Sequence, residues 1–314
     1  MSTIRAAVIL VVITLCVGGG AARATDPVDV RAMQAIAKST HADKSLRWGV
    51  KSGDPCDGTW PGVHCDKDLG RVTAIDASNG GLAGTISGTD LSDLTYLSSL
   101  DLSRNRLDTA TGFSEQPRPL RHLTYLNLSS NAFRDMPDYF LFSFPALETF
   151  AMDDNKDISY SGYFLADLVR CPALRTFSAN KVTLTGELSD FLGNGNGTIF
   201  PALERVSLAG NSLLDDIHHD WGKDSKIKFL DISNQSINGV KNLGGRLDFV
   251  AGMTDLVEIH VRDNNFDGPL PDVSGLANLK VFDAANNNLC GRLNFPSGVA
   301  VNVDGNPGVG KDCP

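Results

Sequence analysis

Few stretches of this sequence set reactive side chains at spacings that chemistry uses. Gly305-Asn-Pro-Gly-Val-Gly310-Lys311 fits G-x-x-x-x-G-K, the loop that cradles nucleotide phosphates. Such a loop needs Ser or Thr next, and a helix whose N-terminus faces the phosphate. Asp312 follows instead, a carboxylate that repels phosphate, so the run reads as a Gly/Pro tail. His218-His219-Asp220 offers three metal-ligating types, but not at the spacing of HExxH or of a zinc constellation, and reads as a solvated loop. Asp153-Asp154 and Asp215-Asp216 are sequence neighbours, which suits solvent exposure better than the acid and base of glycoside hydrolysis. No Gly-x-Ser-x-Gly elbow occurs. The sequence therefore predicts no catalytic residue, no metal and no cofactor.

The cysteines and asparagines carry a different message. Arg5, the apolar run Ala6 to Val17 and Ala22-Arg23-Ala24 have the pattern of a secretory leader over residues 1–24. In an oxidising compartment the economical pairing is Cys56 with Cys65 and Cys290 with Cys313, leaving Cys171 as a buried, inert thiol. Three sequons begin at Asn127, Asn196 and Asn234, each a candidate glycan site in a secreted chain. Asn196 lies in a Gly/Asn loop, whereas Asn127 and Asn234 fall on or beside predicted strands. The count of 28 Lys+Arg against 37 Asp+Glu gives a net charge of −9. Loss of the leader with Arg5 and Arg23 takes it to −11. An acidic chain with no basic block is a poor candidate for non-specific nucleic-acid or anionic-membrane binding and favours a basic partner in encounter. No other apolar run approaches the 18 residues of a membrane span.

The elements that must position these residues come from a repeat. Aligning on L-x-x-L-x-L-x-x-N-x-L gives nine matches, among them Leu97 to Leu107, Leu123 to Phe133 and Leu203 to Leu213. The Asn column reads Gly80, Asn105, Asn131, Asn155, Val182, Asn211, Gln235, Asn264, Asn287. The first and last repeats lie 207 residues apart over eight steps, about 26 per repeat. L-x-L predicts a short strand with both apolar residues inward. The polar column predicts a stacked amide ladder that satisfies turn backbone, weakened at Gly80 and Val182. The fold class is α/β, a right-handed leucine-rich-repeat solenoid whose exposed ends need caps. Residues 25–70 predict an N-terminal cap, with Asp26 as N-cap and Pro27 opening a helix of Val30, Met33, Ile36 and Ala37. Residues 71–291 carry the repeats, and 292–314 form a C-terminal cap or tail.

Outward positions inside each L-x-L are Asp76, Asp101, Asn127, Ala151, Ser178, Ser207, Asp231, His260 and Asp283. Such sheets bind proteins and peptides through rows of side chains. Candidate contacts are Tyr125, Arg175, Lys181, Arg205, Phe229, His260 and Arg262. Tyr125 and Phe229 are expected as exposed aromatics, and Arg175, Lys181 and Arg205 as cations for a ligand carboxylate.

The run Trp48 to Cys65, W-x5-DPC-x3-W-x-G-V-x-C, resembles the N-terminal cap of plant leucine-rich-repeat receptor kinases. Leu82-Ala-Gly84-Thr-Ile86 and Phe266-Asp-Gly268-Pro-Leu270 look like the plant-specific repeat, which implies a second short strand and a twisted superhelix. Phe177-Ser-Ala-Asn180, Asp272 to Leu276 and Val303 to Lys311 are similar to ectodomains of the transmembrane-kinase (TMK) group. That resemblance covers about residues 26–311 and implies a cell-surface receptor in auxin-linked growth signalling with apoplastic partners. It departs from the group in lacking the cysteine-bearing island, the second repeat block, the membrane span and the kinase. The expectation is a non-catalytic protein in the apoplast, or held at the plasma membrane through partners. It would recognise an extracellular protein or peptide, with a membrane co-receptor as a second partner. The alternatives are an inhibitor of cell-wall-degrading enzymes and a shortened receptor acting as a decoy.

Overall fold

A computed structural model of the chain describes residues 24–108, 117–134, 139–156, 158, 168–189 and 200–314. The leader apart from its last residue, the Asn196 sequon and the side chains of Asp215 and Asp216 lie outside that description. Each of the nine L-x-L segments begins in a strand that ends one residue before its second apolar position, as in Ser99–Asp101, Tyr125–Asn127 and Glu258–His260. Their central residues Leu100, Leu126 and Ile259 are fully buried. The strands pair in parallel from coil to coil, setting Leu100 beside Leu126, Leu126 beside Phe150 and Phe150 beside Phe177. The result is a sheet of eleven strands, begun by the antiparallel cap strand Val63–Asp66. Burial of each leucine contributes about 1.5–3 kcal/mol, available only while the neighbouring coils cover it.

The sheet runs one strand beyond the nine alignments. Ala300–Asn302, inside the stretch expected as cap, pairs in parallel with Val281–Asp283. Asn306 then takes the ladder position: its Oδ1 accepts from Leu289 N–H, and its Nδ2 donates to the Ala284 and Val303 carbonyls. The coil is short and uses Val301 and Val303 in place of leucines, which hides it from a leucine pattern.

Two ladders hold the coils together. In the first, the Asn264 Oδ1 accepts from Gln235 N–H at 2.9 Å while its Nδ2 donates to the Ile232 and Val261 carbonyls. Asn105, Asn131, Asn155, Asn211, Gln235 and Asn287 bond likewise. The second ladder is backbone. The residue before each ladder position turns the chain out of the strand with positive φ: Asn79, Arg104, Ser130, Asp154, Lys181, Gly210, Asn234, Asp263, Asn286 and Gly305. Asn, Asp and Gly dominate this column because they tolerate the left-handed region best. Their N–H groups reach the next coil, as Lys181 to Ala209 O and Asn234 to Arg262 O, both at 2.9 Å.

A second parallel sheet of six strands runs from Thr185–Glu187 to Gly308–Val309. Closer to the N-terminus, Ala83–Gly84 and Arg106–Leu107 form a separate parallel pair. An antiparallel hairpin, Ser236–Ile237 with Val240–Lys241, projects after the Gln235 position.

The N-terminal cap is built on a helix, Pro27–Ser39, whose N-cap Asp26 accepts from Val28 N–H at 2.8 Å. Ala32, Met33, Ile36 and Ala37 are buried under it, while Val30 is only half-buried. Asp29 is fully buried and locks this helix to the first repeat strand, Arg71–Asp76, accepting from Val72 N–H at 2.8 Å and from Arg71 at 2.7 Å. Trp48 and Trp60 pack with centroids 5.7 Å apart. Cys56 is bonded to Cys65 and Cys290 to Cys313. Cys171 is buried, its thiol 3.5 Å from the Phe144 carbonyl.

Candidate recognition surface

Alternation within the strands puts two residues of each on the open face of the long sheet. At the N-terminal end these residues bond to one another. Tyr125 Oη donates to Asp101 at 3.2 Å, and Asn127 Nδ2 reaches Asp101 at 3.2 Å and the Tyr125 oxygen at 3.3 Å. Burial, reinforced by the Asp101 charge, raises the Tyr125 phenol above its ordinary pKa, so it remains a donor. Tyr125 is thus half-buried and engaged, not the exposed aromatic that its sequence position suggests.

In the middle, Asp153 accepts from Ser178 Oγ at 2.7 Å and from Asn180 N–H at 2.7 Å. Asn180 passes the chain of bonds on, its Oδ1 accepting from Ala209 N–H at 2.7 Å and Ser207 Oγ at 2.9 Å.

The C-terminal third holds a stack over three successive coils. The Arg205 guanidinium lies 3.5 Å from the centroid of the Phe229 ring, and that ring is 5.6 Å from the His260 imidazole. Parallel pairing produces this: Arg205 is in register with Phe229, and Phe229 with Glu258, two residues before His260. The two imidazole nitrogens face Glu258 at 3.9 Å and Asp283 at 3.7 Å. Phe229 is half-buried because Arg205 covers it. Arg262 pairs with its neighbour Asp263 at 3.2 Å.

On the sheet's edge, Arg175 and Lys228 each meet Glu204 at 2.8 Å. Lys228, and after it Arg175, hold the Glu204 carboxyl below its ordinary pKa. The carboxylate expected for Arg175 is therefore the chain's own. Lys181 is exposed, with its stem lying over Gly210. The structure brings Arg205, Phe229 and His260 together; Tyr125, Arg175 and Arg262 belong to other local networks, and Lys181 stands exposed beside Gly210.

A second stack was not anticipated. Arg71 lies 4.6 Å from the Tyr96 ring centroid, and Tyr96 stacks on His122 at 5.6 Å. These residues each stand four positions before a buried strand residue (Ile75, Leu100, Leu126), so the repeat register could have found them.

The remaining sequence candidates have structural explanations. Gly305 is the left-handed residue of its coil, and a Cβ there would lie 2.2 Å from Asn286 Oδ1. At Gly308 a Cβ would lie 2.7 Å from Cys290 Cβ. Lys311 Nζ donates to the Pro307 carbonyl at 2.9 Å. These glycines let coils approach. In His218-His219-Asp220 the ligating atoms lie within 4.8 Å, with both imidazoles exposed. Lys223 approaches the Asp220 carboxylate at 3.5 Å and His218 Nδ1 accepts a backbone N–H, an arrangement of a solvated loop. No helix among the described residues is long and apolar enough to cross a membrane.

Residues 26–66 match the leucine rich repeat N-terminal domain. Receptor-like kinase TMK2 of Arabidopsis thaliana is 31% identical over 244 residues, 78% of this chain and 26% of that protein. The chain thus spans about a quarter of the length of that relative. The Arabidopsis receptor kinase HAESA, solved with the peptide hormone IDA and the co-receptor SERK1, gives a TM-score of 0.55 at 20% identity over 85% of this chain and 51% of that one. A plant ice-binding protein gives 0.57 at 21% identity over 88% of this chain and 91% of that one. At such identities the solved structures establish the fold alone.

Proposed function

We propose that this chain, which has the cap and repeats of a plant leucine-rich-repeat receptor-kinase ectodomain, recognises an extracellular protein or peptide and performs no catalysis. The observation that carries the reading is the Arg205–Phe229–His260 stack on the open face of the long sheet. It combines a cation, an aromatic face and an imidazole on neighbouring rigid strands, with Glu258 and Asp283 at its border. Aromatic and guanidinium groups on a pre-organised surface are the usual anchors of recognition, because little side-chain entropy remains to be lost. The acidic borders suit a basic or amide-rich segment. Support comes from the curated receptor kinase that the chain resembles over most of its length, and from the two disulfides, which suit an extracellular setting. Recognition coupled to a membrane partner, and residence in the apoplast, belong to the same proposal.

The test is capture of peptides from apoplastic wash fluid on the immobilised chain, compared with Phe229→Ala and with Tyr96→Ala, which alters the other stack. A peptide held by the parent and by Tyr96→Ala but retained at least about tenfold less by Phe229→Ala supports the reading, a hot-spot loss of about 1.4 kcal/mol or more. Equal retention on all three surfaces removes this stack as the recognition site.

A further inference from the structure

We propose that Asn234 carries an N-linked glycan and that Asn127, the other sequon among the described residues, does not. The two sequences are alike, Asn-Leu-Ser and Asn-Gln-Ser, but the coil treats the two asparagines in opposite ways.

Asn234 is the left-handed residue of its coil, with φ of 56°, and it is exposed. Its backbone N–H is used by Arg262 O, but its side chain has no hydrogen-bond partner among the described residues. The next residue, Gln235, is fully buried and sends its amide inward to the Leu208 and Ser233 carbonyls. Asn234 points its amide outward because its neighbour fills the ladder. Ser236 then leads into the hairpin Ser236–Ile237 and Val240–Lys241, so the sequon lies where the chain leaves the solenoid. Ile237 and Val240 on that hairpin are 38% and 66% exposed, and a sugar beside them offsets their contact with water.

Asn127 sits within the strand Tyr125–Asn127, between Asp101 and Ala151 of the adjoining strands. Its Nδ2 donates to Asp101 and to the Tyr125 oxygen, and its Oδ1 accepts from Ser129 N–H at 3.1 Å. A sugar on Nδ2 replaces one of its two hydrogens, so one of the first two bonds is lost, and the sugar must lie across strands less than 5 Å apart. The transfer itself is the same at either site. Nδ2 attacks C1 of an oligosaccharide carried on a polyprenyl diphosphate, the N–C1 bond forms, the C1–O bond to diphosphate breaks, and Nδ2 loses a proton. What differs is whether the product folds.

One consequence rests on the recognition reading above. A glycan at Asn234 stands on the rim where the strands end, and leaves the Arg205–Phe229–His260 stack uncovered. A partner then approaches that stack from the edge bearing Arg175, Glu204 and Lys228.

The full chain is expressed in plant cells, recovered from the apoplast, and digested after peptide N-glycosidase A treatment in heavy-oxygen water. Each formerly glycosylated Asn becomes a labelled Asp, located by mass spectrometry. Label at 234 and none at 127 is the expected result. Label at 127 in monomer with both disulfides formed, or no label at 234, overturns the assignment. Label at 196 alone also overturns it, while leaving secretion standing. The Phe229-dependent capture is read separately, on the same protein and on Asn234→Gln. Its failure with label present at 234 sinks the recognition reading and leaves the glycan assignment intact.

Discussion

The coil of Val182 and the coil of Asn264 make the same turn by different physics. At Asn264 a buried amide accepts one N–H and donates to carbonyls of two coils. At Val182 no amide exists, and the Val182 and Leu184 N–H groups both turn to Asn211 of the following coil at 3.1 Å. Bonds toward the preceding coil move to the open face, where Asp153, Ser178 and Asn180 supply them. Among the described residues the second sheet changes at the same place: its six-stranded run begins at Thr185–Glu187, and the coils before it show one two-stranded pair and the bridge Asp108 to Ala132. Buried polar backbone must be satisfied, but the partner need not sit inside the coil. The solenoid is therefore uniform in its long sheet and divided in its interior, with the division at Val182.

Removing an interior amide has the largest expected effect. Asn264→Ala strips Gln235 N–H of its acceptor in a site with no water access, and takes one donor each from Ile232 O and Val261 O. An orphaned buried donor and weakened carbonyls cost about 3 kcal/mol. Urea unfolding followed by circular dichroism should show a midpoint shift of that size. Amide exchange should speed first in residues 228–264, since coils depend on their neighbours. A loss below about 1 kcal/mol would mean that the ladder is ornamental and that apolar packing alone sets the coil.

A smaller loss tests the backbone ladder beside the division. Gly210 has φ of 70°, and an added Cβ would lie 2.9 Å from Lys181 Cγ. Gly210→Ala should cost about 1–2 kcal/mol, most of it left-handed backbone strain. In a Lys181→Gly background the steric share disappears and the cost should fall by about 0.5 kcal/mol. An unchanged cost in the double mutant would show that strain alone acts. A cost near zero in the single mutant would show that the turn relaxes.

These features were unequally legible in the sequence. The nine strand positions could be read because burial of L-x-L leaves a strict apolar spacing, and the break was visible as Val182 in an amide column. The left-handed column stood one residue earlier as Asn, Asp and Gly at most positions, yet Arg104, Ser130 and Lys181 dilute it, since a non-glycine there costs only about 1–2 kcal/mol. The final strand was hidden because valines and a short coil replace the leucine consensus at Val301 and Val303. Candidate site residues were legible as positions on a face, not as partners. The alternation gave Arg205, Phe229 and His260. Whether Arg205 would cover Phe229, or Arg175 would pair with Glu204, depends on side-chain reach between coils whose registers vary with insert length.

The smallest effect is the most informative about the division. Val182→Asn restores the missing rung in a fully buried position. In an ordinary apolar core an amide placed there costs several kcal/mol. Here the carbonyls of Met152 and Ala179 already accept from the amides of Asn155 and Asn211 respectively. Their second lone pairs are the acceptors that other rungs use, as Leu102 O serves both Asn105 and Asn131. Two or three new bonds at about 1 kcal/mol each then offset the roughly 2 kcal/mol of lost valine burial. Stability should stay within about 1 kcal/mol of the parent, and amide protection across residues 176–184 should rise. A loss above about 3 kcal/mol would mean that the coil's path, and not merely its missing amide, differs at this point. The open-face network of Asp153 and Asn180 would then be the cause of the division rather than its repair.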